Sequence, residues 1–235
     1  MALQLHPLFP TLVATEHLPL DPLDHAGLLQ TLHQLRGEAS GNPSPGCAWT
    51  GDLNGIWQLH RHTDVAPLAD WVTQQAWRYL EATGFDLTRV SLHLQRCWPV
   101  LSEWGQVVGR HHHPNAHLSA VLYLSGDGSA QEGALCLHAP HQLNELVPGL
   151  AVGHGGPIAL DHPHNQTRWT LAPQPGLLVL FPSRLEHSVL ENSVEDALRV
   201  SISFDFVLTA VADGLPPEYL APDPSHWTSC QRPVP

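Results

Sequence analysis

Three histidines and an arginine are the residues of this chain whose types and spacing could do chemistry. The stretch Gly109 to Ser125, GRHHHPNAHLSAVLYLS, sets three consecutive histidines before a Pro-Asn turn and an eight-residue apolar run, Leu118 to Ser125. In extended backbone residues i and i+2 share a face, so His111 and His113 point one way and His112 the other. That is half of a metal site. A second stretch, Gly176 to Phe206, supplies His187 just after one apolar strand and Arg199 at the opening of another. Neutral imidazoles suit iron, copper, nickel and zinc, and three protein ligands on one face of an ion leave positions for a bidentate cosubstrate and for oxygen. An arginine behind the metal, fixed in charge and able to make two parallel hydrogen bonds, suits the far carboxylate of a dicarboxylate. Ser201, two residues on, shares its face. Together they read as a mononuclear iron site with an anion-binding arginine behind it.

The background must be weighed against that signal. Histidine makes up 18 of 235 residues, so chance alone gives about 1.4 His-x-His triplets, and a triplet by itself is weak evidence. Three occur: His60 with His62, His111 with His113, and His162 with His164. The first precedes a helix and the third lies in a Pro-rich connection. Only the second leads into a strong strand and is followed by a further histidine and an arginine among apolar neighbours. The bland alternative for Arg199 is a surface salt bridge with Glu195 or Asp196. Glu186, beside His187, reads as a solvated charge, or as the general base of a zinc hydrolase built on the same histidines.

These residues need elements to hold them. From Pro19 the chain reads as a short helix with Asp21 as N-cap, Pro22 in its first turn, Leu28, Leu32 and Leu35 on one face, and Gly37 as its stop. Gly41 to Gly55 reads as loop. A stronger helix follows, capped by Asp64, with Leu68, Trp71, Val72, Gln75, Ala76, Tyr79 and Leu80 as its stripe and Gly84 at its end. From Leu87 the period changes to two. Strands are expected at Val90 to Trp98, Val107 to Arg110, Leu118 to Ser125, Gly133 to His138, Leu177 to Phe181 and Leu198 to Leu208. Residues 139 to 170 form a long polar connection, which is functional or hides short strands, and a Pro-rich tail begins at Leu215. Several short strands with turns between them predict a mainly β antiparallel sandwich or jelly roll with the helices outside.

Composition narrows the function classes. The length suits a single domain over 1–235, with a helical part to about residue 86, a β core to about 210 and the tail beyond. A formal charge of −12 with no basic cluster argues against nucleic acid as a partner. The apolar runs are too short for a bilayer span, and MALQLHPLFPTL lacks the basic flank of a signal peptide. Cys47, Cys97, Cys136 and Cys230 form no CxxC pair, which fits a reduced, cytoplasmic setting. There is no lysine, so Schiff-base, Walker and kinase chemistry are excluded.

Residues 107 to 206 resemble the 2-oxoglutarate and iron(II)-dependent oxygenases, and within them a bacterial and phage subgroup with the signature H-x-H-P-N-x-x-x-S-x-V-x-Y-L. The matching residues are His111, His113, Pro114, Asn115, Ser119, Val121, Tyr123 and Leu124. Gly133-Ala134-Leu135 resembles the family's Gly-x-Leu strand start, Gly176 to Ser183 followed by His187 its distal-histidine segment, and Arg199 its 2-oxoglutarate-binding arginine. A weaker echo lies at Trp49-Thr50 and Trp98. The resemblance implies a double-stranded β-helix with His111, His113 and His187 as metal ligands. It also implies that Arg199, Ser201 and Tyr123 hold the cosubstrate. The implied activity is hydroxylation of a small molecule or peptide, with iron(II) as cofactor and succinate and carbon dioxide released. One departure stands out: most relatives have a carboxylate as second ligand where this chain has His113. An offset pairing, His113 with Asn115 and His117 behind them, is the alternative. A cupin-like jelly roll that binds metal or ligand without turnover is the alternative function. The oligomeric state is left open.

Overall fold

Strict alternation along the longest pure-antiparallel strands sorts the molecule into a covered face and an inner face. In the computed structural model, which describes residues 3–4, 6, 9–19, 22–41, 44–141, 147, 157–159 and 161–230, two antiparallel sheets face each other. The larger is built from β1 (Ala14–His17), β2 (Trp49–Thr50), β3 (Val90–Ser102), β5 (Leu118–Tyr123), β8 (Leu177–Pro182) and β10 (Arg199–Ala210), in the order β1-β8-β5-β10-β3-β2. The smaller contains β4 (Val108–His111), β6 (Leu135–His138), β7 (Arg168–Leu171) and β9 (His187–Val189), in the order β4-β9-β6-β7. This is the expected jelly roll, mainly β, with the helices on the outside.

On β10 the even residues Val200, Ile202, Phe204 and Phe206 join Leu118, Ala120 and Leu122 of β5 and Leu178 and Leu180 of β8 in one apolar layer. Two helices cover that layer, α1 (Pro22–Glu38) with Leu28 and Leu32, and α2 (Ala66–Ala82) with Ala69, Val72 and Ala76. The odd residues face the other way. There Tyr123, Val179 and Phe181 pack against Leu135 and Leu137 of β6 and Leu171 of β7, filling part of the space between the sheets. The period of two therefore decides which residues can reach a site between the sheets.

Several sequence expectations are corrected. Asp64 does not cap α2: the cap position is Val65 without a side-chain bond, and Asp64 accepts instead from Thr31 Oγ1 of α1 at 2.7 Å. A tertiary partner outcompeted the local one. Gly37 lies inside α1, which ends at Glu38, and the proposed cap Asp21 lies outside the described residues. Gly41 to Gly55 is not all loop, since β2 and a 3-10 turn at Asp52–Asn54 lie in it. The long connection does hide a strand, β7. Two further strands, β1 and β9, were not expected. β1 is a four-residue edge strand with mostly exposed side chains, and β9 is only three residues long, too short for periodicity to show. The first strand of the core runs on past Trp98 and Pro99 to Ser102, closing against β2. No disulfide joins the four cysteines, and among the described residues no helix is long and apolar enough to cross a membrane.

Candidate metal centre and its cavity

β4 and β9 bring two of the histidines face to face, because His111 and His187 are direct partners in their ladder. His113 lies just past the end of β4, held by its backbone N–H to the Ser183 carbonyl at 3.0 Å. The ring centroids are 5.2 Å apart for His111 and His113, 4.3 Å for His111 and His187, and 4.9 Å for His113 and His187. One nitrogen of each ring lies within 4.8 Å of the other two. Among the described residues this is the one group of three metal-ligating side chains so arranged.

The other nitrogen of each ring is already engaged. His111 Nδ1 meets the Gly109 carbonyl at 2.7 Å and His187 Nδ1 the Leu185 carbonyl at 2.9 Å. His113 Nδ1 meets Asp205 Oδ1 at 2.6 Å. Each acceptor requires Nδ1 to carry the proton, which leaves the three Nε2 lone pairs for a cation. Burial holds two of the imidazoles neutral: it lowers His111 below its ordinary value, and it takes His187 down to about 3, with His111 adding to the effect. Neutral imidazole is the ligating form.

The three rings open into a cavity of about 510 Å³ whose lining also includes Arg199, Ser201, Ser203 and Asp205 of β10 and Tyr123 of β5. Arg199 is 1% exposed. Its Nη1 donates to Ser201 Oγ at 2.9 Å, whereas Nε and Nη2 have no hydrogen-bond partner, and neither does the Tyr123 hydroxyl. The guanidinium carbon stands 5.9 Å from the centre of the Tyr123 ring. Burial presses the Arg199 pKa down and the Tyr123 pKa up, yet a guanidinium keeps its charge. A buried cation with two idle donors and, among the described residues, no carboxylate paired with it is costly unless an anion arrives. The apolar part of the cavity lining includes Val121, Leu135 and Phe181. Gly133 lets the arginine through: at φ +76° its missing Cβ would stand 3.3 Å from Arg199 Nε and 3.3 Å from the Leu190 carbonyl.

The remaining histidine and acid candidates fall elsewhere. His162 and His164 share an exposed turn, their rings 5.2 Å apart, and His62 sits beside Asp64. Asn115 lines the same cavity as the three imidazoles, and His117 Nδ1 accepts from the Leu208 N–H at 2.9 Å. Glu186 forms a half-exposed ion pair with Arg110. Glu195 and Asp196 make no ion pair with Arg199.

Sequence reasoning passed over Asp205, and named Ser119 and Ser183 only as parts of matched motifs without a role. Asp205 is 2% exposed and accepts from Ser119 Oγ at 2.7 Å as well as from His113. Ser119 and Ser183 are joined at 2.8 Å. The alternation that pairs Arg199 with Ser201 continues through Ser203 to Asp205, and that pattern was the available signal. Trp98, known only as a faint echo, stands with its ring 5.6 Å from that of His113.

With this geometry in view, comparison with known proteins is informative. No curated protein matches the sequence. Residues 96–205, a little under half of the chain, match the family model described as "Putative 2OG-Fe(II) oxygenase". Among solved structures, the chain is similar to the non-heme alpha ketoglutarate dependent carbocyclase SnoK from nogalamycin biosynthesis, with TM-score 0.58 and 12% identity over 86% of this chain and 81% of that one. It is similar to HygX from Streptomyces hygroscopicus, solved with nickel, 2-oxoglutarate and hygromycin B, with TM-score 0.55 and 14% identity over 84% and 83%. A prolyl-4-hydroxylase from Pseudomonas putida gives TM-score 0.51 and 18% identity over 83% and 91%. Identities this low speak to the fold. The matched segment runs from the strand before the histidines to Asp205 and contains every residue of the cavity named above from His111 onward.

Proposed function

We propose that the chain is an iron(II)- and 2-oxoglutarate-dependent oxygenase that hydroxylates a small molecule or peptide held at the cavity mouth. The observation that carries this reading is Arg199: a buried guanidinium with two idle donors shares one cavity with three imidazoles. A metal site alone needs no such cation. A dicarboxylate chelating a metal with one end needs an anchor for the other, and a planar fork is suited to it.

In the proposed assignment His111, His113 and His187 hold iron(II) through Nε2. Arg199 takes the distal carboxylate of 2-oxoglutarate, Tyr123 adds its free hydroxyl to the same group, and Ser201 keeps the guanidinium in plane. Iron and 2-oxoglutarate, when bound, supply the oxidising power: one oxygen molecule is consumed, one atom entering a substrate C–H bond and one entering succinate, with carbon dioxide released. The protein's share is orientation and exclusion of water, and Val121, Leu135, Phe181 and Trp98 provide the apolar walls for it.

The test needs no substrate. Anaerobic iron(II) titration of the protein in the presence of 2-oxoglutarate should produce the weak visible band of a chelated complex, and Arg199→Leu should lose it at the same concentrations. Iron binding without a band would instead indicate a cupin-like binding protein.

A further inference from the structure

The second imidazole of the cluster differs from the other two in what stands behind it. His111 and His187 each give Nδ1–H to a neutral main-chain carbonyl two residues earlier. His113 gives its Nδ1–H to a carboxylate, Asp205, from the middle of β10. This is also the position at which the resemblance leads one to expect a carboxylate bonded directly to the metal. The negative charge is not missing from the neighbourhood; it lies one ring further from the cluster.

Asp205 has few other partners. It is 2% exposed, and His113 is its one ion-pair partner among the described residues. Its remaining bond comes from the neutral hydroxyl of Ser119, itself fixed against Ser183. The chain has no lysine, and among the described residues no arginine pairs with this carboxylate. A buried anion that touches only an imidazole and a hydroxyl is poorly compensated unless positive charge lies beyond the imidazole. A divalent ion on His113 Nε2 would put it there. A local irregularity helps aim the pair: the β3–β10 register slips between Asp205 and Phe206, Asp205 facing Arg96 and Phe206 facing Leu94, so Gln95 is left without a partner. Bulges of this kind commonly re-aim side chains beside a site.

We propose that Asp205 is the anionic group of this metal centre, a positioning residue that acts through His113. It fixes the Nδ1–H tautomer, strengthens Nε2 as a donor and offsets the charge that three neutral ligands leave on the ion. The proposal rests on the reading of the histidine cluster as a metal site. It concerns a residue in the sheet behind the ligands rather than a ligand.

Asp205→Asn separates charge from geometry, because an amide oxygen still accepts from His113 and Ser119. Cobalt(II) and iron(II) titrations, together with the iron(III)/iron(II) potential of the loaded protein, read the outcome. The expected result is affinity lower by about 10–100-fold and a higher potential, with the melting temperature of the metal-free protein not lowered. Unchanged affinity and potential in Asp205→Asn, with normal metal binding by wild type, would overturn this proposal alone. Failure of the wild type to bind any divalent metal would overturn the proposed function as well. A measurement without a variant guards against misfolding: zinc-loaded wild type should show a strongly downfield, exchange-protected His113 Nδ1 proton, and its absence would count against the Asp205 bond.

Discussion

His111 and His187 stand directly opposite one another across the β4–β9 ladder, ring centroids 4.3 Å apart, and each turns Nδ1 to the carbonyl two residues before it. The two rings are thus held by the same local device on two antiparallel strands. The His111 acceptor, Gly109, lies within β4, and the His187 acceptor, Leu185, lies in the turn that leads into β9. The two rings should be equivalent in effect, and His111→Ala and His187→Ala should each abolish measurable cobalt(II) binding by calorimetry. His60→Ala and His162→Ala, drawn from the other His-x-His pairs, should bind as wild type does.

Arg199 carries its cost before any ligand arrives. Two charge-assisted hydrogen bonds to a carboxylate contribute roughly 3–4 kcal/mol together, so Arg199→Met should weaken 2-oxoglutarate binding by about two to three orders of magnitude while leaving cobalt(II) affinity intact. Because the guanidinium has no anionic partner among the described residues, the melting temperature of ligand-free Arg199→Met should not fall. A clear drop would mean that Arg199 has a structural partner.

Proton linkage gives a separate check on the imidazoles. Burial lowers the folded pKa of His187 to about 3 and that of His111 in the same direction, so the unfolded chain binds more protons than the folded one below the ordinary histidine value of about 6.5. Stability of the metal-free protein should therefore be full above that value and decline as pH falls toward the folded pKa. The slope should be up to about 1.4 kcal/mol per pH unit for each such histidine. Urea unfolding in chelator between pH 7.5 and 5 measures it, and His187→Phe should flatten the profile.

Gly133 is the narrow point beneath the arginine. Alanine there must adopt φ +76° and place Cβ 3.3 Å from Arg199 Nε. Gly133→Ala should cost about 1–2 kcal/mol in stability from the left-handed backbone alone. It should also reduce 2-oxoglutarate affinity more than metal affinity, as paired titrations would show.

The legible and the illegible parts of this protein divide on physical lines. The jelly roll was readable because runs such as VSLHLQRCW and LRVSISFDF alternate cleanly, and both helices were readable from their apolar stripes. His111, His113 and Arg199 stood out because they border those runs. Asp205 did not, since its alternation marks it as belonging to the less apolar face of β10, and only the second sheet turns that face inward. β9 was hidden by its shortness and β1 by its exposed edge position. Asp64 looked like a cap in isolation and lost that role to Thr31 of another helix.

The odd-numbered face of β10 also makes the site a matter of parity. Arg199 at one end and Asp205 at the other are about 20 Å apart along a strand rising ~3.3 Å per residue, and both reach the cavity only because an even number of steps separates them. Inserting or deleting one residue between them would turn one of the two into the helix-covered layer beside Ile202 and Phe204. A two-residue change would keep both facing inward and alter only their separation. Length variation in this strand among descendants of this gene should therefore come in pairs.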